Sequence, residues 1–207
     1  FNIYANTGEK IASCCRLLND KSRMPARFDS FSNGGLNLGS HRVVTINMPR
    51  LAILSNGDVE LFYETLDKRL QEVRDLLLVH REEILQRRIK QGFLKFYYPL
   101  KWFSLDRMFS TIGIIGIYEM CHFMKLDIKS VEGCQFVRDV LTYIETFAKE
   151  TSETTGHSFN VEEIPGESVA TKFVQKDKII FGPDVVPFEL YSNQYIPLIA
   201  DAPLPDR

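Results

Sequence analysis

The sequence predicts an α/β fold, and three observations carry that prediction. A short β-branched run, RVVTINMP at 42–49, is typical of a buried strand. Two long stretches carry apolar residues at helical spacing, with charged residues between them. Strand-like and helix-like segments alternate along the rest of the chain, which is the pattern of α/β domains. The chain shows neither an internal sequence repeat nor a low-complexity segment.

The first long helix should follow the strand at 42–49. Asn56 or Asp58 is its candidate N-cap, and Gly92 is its candidate C-cap. The apolar positions between them form one helical stripe: Phe62, Leu66, Leu70, Val73 and Leu77. We therefore expect a helix that runs to about Lys90 and buries one face.

The apolar run at 108–126 predicts a buried strand or loop that passes into a buried helix, with Ser110 or Thr111 near the turn. Ser130 is the candidate N-cap of the second long helix. Its apolar face consists of Val137, Val140, Leu141, Ile144 and Ala148. After it, the sequence predicts a strand at 158–165, a short helix at 166–178 and a last strand, interrupted by a loop, at 189–199.

Composition excludes several classes of protein. The formal net charge of −2 provides no general attraction for nucleic acid or an anionic membrane surface. No apolar run approaches the roughly 18 residues of a membrane span, and the chain starts without a signal-peptide pattern. The cysteines are too few for a secreted disulfide scaffold: Cys14, Cys15, Cys121 and Cys134. We expect a cytoplasmic, reducing compartment.

The adjacent pair Cys14 and Cys15 is the first candidate for chemistry. Zinc sites use cysteines at C-x2-C-like spacing, so we predict no metal here. Two small buried hydrophobic residues are the plain alternative. Segments rich in Gly and Asn flank the pair, including 31–41, and Arg16 follows it directly. A loop position beside a cation favours a reactive thiolate.

Three short segments are candidates for phosphate binding through backbone N–H groups and hydroxyls. STIGIIG at 110–116 suits a helix start but lacks the lysine of a P-loop; close packing of a buried helix against a sheet is its alternative. GES at 166–168 suits a helix start or a simple cap, with Glu167 as a capping group. YSNQY at 191–195 offers hydroxyls and amides, or ordinary turn chemistry. A lone helical histidine such as His80 is expected to be solvated or hydrogen-bonded.

Taken together, several stretches resemble a known family. NTGEKIASCCRL, GGLNLGSHRVVTINMPRLA, FSTIGIIGIYEM, GESVATKF and YSNQYIPL occur here in the order found in anaerobic (class III) ribonucleoside-triphosphate reductases, which are glycyl radical enzymes. The resemblance extends from about Asn6 to Leu198. It implies a ten-stranded α/β barrel built from two antiparallel halves, crossed by a finger loop. Residues 1–207 would then be a single partial domain, the second half of that barrel, with the finger loop at 7–41.

The resemblance also implies roles for individual residues. Cys15, directly before Arg16, would be the thiyl-radical residue that removes the 3′-hydrogen of the ribose. Cys14 would be a structural or redox neighbour, and Asn47 would face the active site and assist loss of the 2′-hydroxyl as water. The substrate-binding candidates are Arg16, Ser110, Thr111, Gly113, Gly166, Ser168, Ser192 and Asn193.

The same resemblance implies cofactors and partners. The glycyl radical would lie on a segment absent from this sequence, generated by an S-adenosylmethionine iron–sulfur activase, with formate or a dithiol as reductant. The regulatory domain is absent too, so we expect this chain alone to be inactive and to need the remainder of a homodimeric reductase. Two alternatives stay open. A non-catalytic nucleotide- or partner-binding α/β module would pack Cys15 in its core, and a dithiol redox protein would expose Cys14 and Cys15.

Overall fold

The computed structural model describes residues 10–12, 18–20, 39–97, 100, 104–197 and 200. The strands are β1 (Lys10–Ala12), β2 (Leu18–Asp20), β3 (Gly39–Asn47), β4 (Met108–Ile115) and β5 (Phe159–Glu163). The α-helices are α1 (Met48–Ser55), α2 (Val59–Val79), α3 (Arg87–Lys90), α4 (Ile117–Phe123), α5 (Val131–Thr155) and α6 (Glu167–Phe181). A π-helical segment, His80–Gln86, joins α2 to α3, and a short 3-10 helix, Leu105–Arg107, precedes β4. None of the helices in these ranges is long and apolar enough to cross a membrane.

The main sheet is parallel, with β4 between β3 and β5. Asn47 at the end of β3 pairs with Ile115 at the end of β4, and Ile114 pairs with Glu163 at the end of β5. All three strands therefore end on one side of the sheet, which we call the carboxyl edge. β1 and β2 form a separate antiparallel pair.

One face of the sheet forms the core with the helices. Ile46, Ile112 and Ile114 belong to a buried cluster with the stripe of α2 and the inner face of α5. Each large aliphatic side chain buried in this way stabilises the fold by about 1.5–3 kcal/mol. The α2 stripe is buried as predicted: Phe62, Leu66, Leu70, Val73 and Leu77. Asp58 caps α2 by accepting from Leu61 N–H, and Ser130 caps α5 by accepting from Gly133 N–H.

The other face of the sheet, which we call the polar face, carries Val43, Thr45, Thr111, Gly113, Asn160 and Glu162, with the buried Ile115 at its carboxyl end. None of these residues belongs to a hydrophobic cluster of the described part of the chain. Here the Thr111 hydroxyl donates to Asn160 Oδ1 at 2.7 Å. Parallel strands are normally apolar on both faces, because both faces are covered. A polar face on a parallel sheet needs polar partners, which the protein, a ligand or water can supply.

The predicted α/β class is confirmed, with a parallel three-stranded sheet, and two local predictions need correction. The strand predicted at 42–49 is β3, which ends at Asn47 rather than at residue 49. Pro49 lies in the first turn of α1, a helix that the β-branched pattern does not predict. No strand lies within 189–197, the described part of the predicted last strand. That segment packs instead through Tyr191, which is fully buried beside Val174 and Val186.

Candidate functional site

Asn47 lies at the point where β3 ends and α1 begins. Asparagine is a favoured N-cap, since its side-chain oxygen accepts from a backbone N–H that the helix leaves unpaired. Here Oδ1 accepts from Arg50 N–H at 3.2 Å. Because β3 is parallel to its neighbour, this cap places the Asn47 carboxamide on the carboxyl edge of the sheet. Ligands of parallel α/β sheets bind at that edge.

The NH2 group of the Asn47 carboxamide faces a buried carboxylate, Asp177 of α6. Asn47 Nδ2 donates to Asp177 Oδ2 at 2.8 Å, and the Tyr191 hydroxyl donates to the same oxygen at 2.8 Å. Arg50 Nε donates to Asp177 Oδ1 at 2.6 Å, and a second guanidinium nitrogen also pairs with that oxygen. Burial, then the bond to Asp177, raises the pKa of Tyr191. The hydroxyl is therefore a donor at all physiological pH values.

Ser192 lies against the end of the central strand. Gly116, which follows β4 with a φ of 84°, donates its N–H to Ser192 O at 2.9 Å. Ser192 N–H in turn donates to both carboxylate oxygens of Glu119 on α4, at 3.0 and 2.9 Å. The Ser192 hydroxyl is bonded to Gln194 O. One backbone bond and a buried acid thus hold the segment that contains Asn193 at the carboxyl edge.

Glu119 is 3% exposed, and burial raises its pKa to about 7 against the lowering effect of Ser192 N–H. An acid whose pKa is raised in the folded protein binds more protons there than when unfolded. The free energy of unfolding should therefore fall as the pH rises from about 4.5 to about 7. One pKa unit corresponds to about 1.4 kcal/mol, so the effect should reach about 3 kcal/mol.

The glutamine variant tests this pH dependence. Glu119→Gln cannot titrate, so its stability relative to the unaltered protein should rise over that pH window. Urea unfolding at pH 5 and pH 8 measures the difference, with the exposed Glu145→Gln as the matched control. Parallel stability curves for the unaltered protein and Glu119→Gln would contradict a raised pKa for Glu119.

Gly166 and Ser168 lie beyond the end of the third strand. β5 ends at Glu163, Gly166 occupies the N-cap position of α6, and Ser168 is in the first turn of that helix, exposed. The sequence prediction of a helix start here is confirmed. The structure therefore brings Asn47, Ser192 and Gly166 to one side of the sheet, each at or near the end of a different parallel strand.

The predicted placement of Ser110, Thr111 and Gly113 at a helix start is wrong. All three lie within β4, where their backbones belong to the strand ladder, and α4 begins only after Gly116. The β-branched and isoleucine-rich composition of this run suits a strand with two buried faces. A Cβ on Gly113 would come within 2.7 Å of Ile164 Cγ1, so close packing within the sheet accounts for this glycine.

The hydroxyls of Ser110 and Thr111 are turned to protein partners in the first half of β4, away from the carboxyl edge. Ser110 Oγ contacts His41 Nε2 at 2.7 Å, and His41 Nδ1 contacts His80 Nδ1 at 3.2 Å. Burial, then the nearby Arg81, lowers the pKa of His41 to about 4. His80 therefore has a hydrogen-bond partner in the neutral His41, as the sequence predicted for a lone helical histidine.

Cys14, Cys15 and Arg16 lie outside the described residues. Of the other two cysteines, Cys121 is buried in the core and Cys134 is exposed on α5. Burial raises the pKa of the Cys121 thiol to about 12, so this thiol is unreactive. No cluster of three or more metal-ligating side chains occurs within the described ranges.

Sequence reasoning missed three residues of the carboxyl edge, Arg50, Glu119 and Asp177, and it named Tyr191 only as part of the YSNQY segment. For Glu119 a signal existed, because a single acid inside the apolar run IYEM is suited to a buried role. The capping role of Asn47 also had a signal, because proline is common in the first turn of a helix and Pro49 lies two residues after Asn47. Asp177 stands among charged residues in QKDK, and nothing in that pattern separates it from a solvated helix face.

The arrangement offers hydrogen-bond donors and acceptors to a polar ligand. After its two bonds, the Asn47 carboxamide keeps one N–H and one lone pair. Beside it the polar face supplies Thr45, and Ser192 and Gly166 lie farther along the edge, near the ends of β4 and β5. Such a surface can bind and orient hydroxyl groups.

Comparison with known proteins gives one consistent result. A family model described as "Anaerobic ribonucleoside-triphosphate reductase" matches residues 1–203. The anaerobic ribonucleoside-triphosphate reductase of Escherichia coli (strain K12) is 25% identical over 199 residues, which covers 81% of this chain and 25% of that protein. The corresponding protein of Enterobacteria phage T4 is 25% identical over 185 residues, which covers 79% of this chain and 28% of that protein. The chain thus spans between 25% and 28% of the length of these curated relatives.

Solved structures agree with these relatives. The anaerobic ribonucleotide reductase from Thermotoga maritima, crystallised with glycerol in its active site, matches with a TM-score of 0.77 and 37% identity, over 82% of this chain and 28% of that chain. The structure of the Thermotoga maritima enzyme in complex with dATP and CTP matches with the same TM-score and identity, over 82% of this chain and 29% of that chain.

Proposed function

The chain belongs to the anaerobic ribonucleoside-triphosphate reductase family, and from this premise we propose that it forms part of the catalytic domain of an enzyme that reduces ribonucleoside triphosphates to 2′-deoxyribonucleotides. The observation that carries the proposal is the carboxyl edge, where Asn47, Ser192 and Gly166 lie at the ends of three parallel strands beside a polar sheet face. Because the chain spans about a quarter of its curated relatives, the activity is proposed for the complete enzyme.

We propose that the sheet is the second half of a ten-stranded α/β barrel, with residues 7–41 as its finger loop. Two features support this. The outer edges of β3 and β5 have no strand partner among the described residues, and unpaired parallel edges need covering. The polar face also lies apart from the hydrophobic clusters, as expected of a surface that lines the interior of a barrel.

The proposed chemistry begins with a hydrogen atom. Cys15 would give up its S–H hydrogen atom to a glycyl radical on a segment outside this chain and so carry a thiyl radical. It then takes the 3′-hydrogen of the ribose and later returns it, and Arg16 beside it contacts the substrate. Asn47 holds the ribose hydroxyls with its remaining N–H and lone pair while the 2′-hydroxyl leaves as water. The reductant, formate or a dithiol, supplies the two electrons, and the protons come from it and from solvent. Orientation of this kind contributes several orders of magnitude to rate.

We propose that the substrate phosphates bind near Gly166, Ser168, Ser192 and Asn193. These residues lie at the carboxyl edge, and the first turn of α6 carries backbone N–H groups without an intrahelical partner. Ser110 and Thr111 are not included, because they lie in the first half of β4, away from the carboxyl edge. Gly113 is likewise enclosed within the sheet.

The complete enzyme should have the partners of its family. We propose a homodimer, activation by an S-adenosylmethionine iron–sulfur enzyme, and formate or a dithiol as reductant, with Cys14 as a structural or redox neighbour of Cys15. The proposed compartment is the cytoplasm, in keeping with the cysteine content of the chain.

An anaerobic assay of the complete, activated enzyme tests the proposed function. We expect 2′-deoxyribonucleotides to form from ribonucleoside triphosphates only after activation, and product quantification by chromatography measures this. A non-activated sample is the control. Nucleotide binding without product, in a sample that contains the glycyl radical, would contradict the proposal and favour a non-catalytic nucleotide-binding module.

A further inference from the structure

We propose that Asp177 is a positioning residue that sets the orientation of the Asn47 carboxamide at the carboxyl edge. The inference rests on the proposed function, because it assigns Asp177 to the same site. Asp177 lies 130 residues from Asn47 in sequence, on α6, and no motif of the sequence points to it.

The Asp177 carboxylate is fully buried and is surrounded by donors. Asn47 Nδ2 and the Tyr191 hydroxyl donate to Oδ2, each at 2.8 Å, and the Arg50 guanidinium pairs with Oδ1. Arg50 provides the positive charge that a buried carboxylate needs. The three partners come from the end of β3, from α1 and from the 189–197 segment. The Asp177 carboxylate therefore connects α6 to the end of β3, to α1 and to the 189–197 segment.

The contacts leave the Asn47 carboxamide only one orientation. A carboxylate only accepts hydrogen bonds, so the group that faces Asp177 must be the NH2 group. The group that faces the backbone N–H of Arg50 must be the carbonyl oxygen. A flipped amide would place oxygen against oxygen at Asp177 and N–H against N–H at Arg50. Asp177 thereby decides which atom of Asn47 is presented to a ligand as donor and which as acceptor.

Asp177 also links Asn47 to the proposed phosphate-binding segment. Its bond from Tyr191 holds the residue directly before Ser192, and Glu119 holds Ser192 itself. A displacement of Asp177 would therefore move both the ribose-side and the phosphate-side groups. Stability alone does not explain a buried carboxylate paired with a partly exposed arginine, since apolar residues often replace a buried ion pair at little or no cost.

The test is a double-mutant cycle in the complete enzyme. Asp177→Asn has the same shape but offers an NH2 group or a neutral oxygen to Asn47, so kcat should fall by about tenfold to a hundredfold. On an Asn47→Ser background the same change should lower kcat by less than about threefold, because the carboxamide that it orients is gone. The exposed Asp184→Asn is the matched control and should leave kcat unchanged.

Three results would overturn the inference. An unchanged kcat in Asp177→Asn would remove the positioning role while leaving the proposed function intact. Equal factors on both backgrounds would show that Asp177 acts through Tyr191 or through general stability and not through Asn47. Absence of turnover in the unaltered, activated enzyme would contradict the proposed function and this inference with it. If Asp177→Asn alone fails to fold, the charge-neutral pair Arg50→Gln/Asp177→Asn replaces it in the cycle, with the same expected non-additivity.

Discussion

Replacing Cys15 by alanine in the complete enzyme should abolish deoxynucleotide formation while the glycyl radical still forms. Alanine has no S–H group and cannot form the thiyl radical that accepts the hydrogen atom of the ribose. The glycyl radical is generated on another segment and does not depend on Cys15. Anaerobic product analysis should show no deoxynucleotide, and electron paramagnetic resonance should show an undiminished radical signal. This is the largest effect that we expect from any single substitution in the chain.

The other cysteines provide the controls for that experiment. Cys14→Ala should reduce turnover less than Cys15→Ala, because Cys14 is proposed only as a neighbour. Cys134→Ala, on the exposed face of α5, should leave turnover unchanged. Deoxynucleotide formed by Cys15→Ala above the level of a non-activated sample would remove Cys15 from its role. Equal losses in Cys14→Ala and Cys15→Ala would mean that the two sulfurs act together.

Replacing Asn47 by serine should lower kcat by about a hundredfold or more, the cost of removing one preorganised polar group from an active site. Serine is as good an N-cap as asparagine, so α1 keeps an acceptor for its unpaired N–H groups. The thermal midpoint should fall by only a few degrees, because Asp177 loses one of its donors but keeps Arg50 and Tyr191. What the variant loses is the carboxamide between Asp177 and the proposed ribose site. Steady-state kinetics and a thermal melt measure the two quantities.

Asn56 provides the matched control for Asn47→Ser, because it is an asparagine that caps the other end of α1. It forms the C-cap of α1 in the left-handed region, with a φ of 51°. Asn56→Ser should lower stability, since serine tolerates that conformation less well, and should leave kcat unchanged. If Asn56→Ser loses as much turnover as Asn47→Ser, the effect at Asn47 belongs to the helix and not to an active-site amide.

The sequence predicted the elements with strong local signals. The α2 stripe, the caps at Asp58 and Ser130, and the β-branched run before Asn47 are local properties, since each depends on residues within one or two turns. The apolar run at 108–126 predicts a strand or loop that passes into a helix, but its pattern does not show where the strand ends. The prediction therefore places Ser110 or Thr111 near a turn that in fact lies several residues later, at Gly116.

By itself, the sequence determined the α/β class, the long helices, and the family through the order of its short motifs. Only the tertiary structure decided which of the candidate residues share one edge. Parallel strands align their carboxyl ends through ladder bonds between distant segments, and a buried carboxylate then selects its donors by proximity. Asp177, Arg50 and Tyr191 meet around Asn47 because four elements pack there, and no periodicity along the chain encodes a contact across 130 residues.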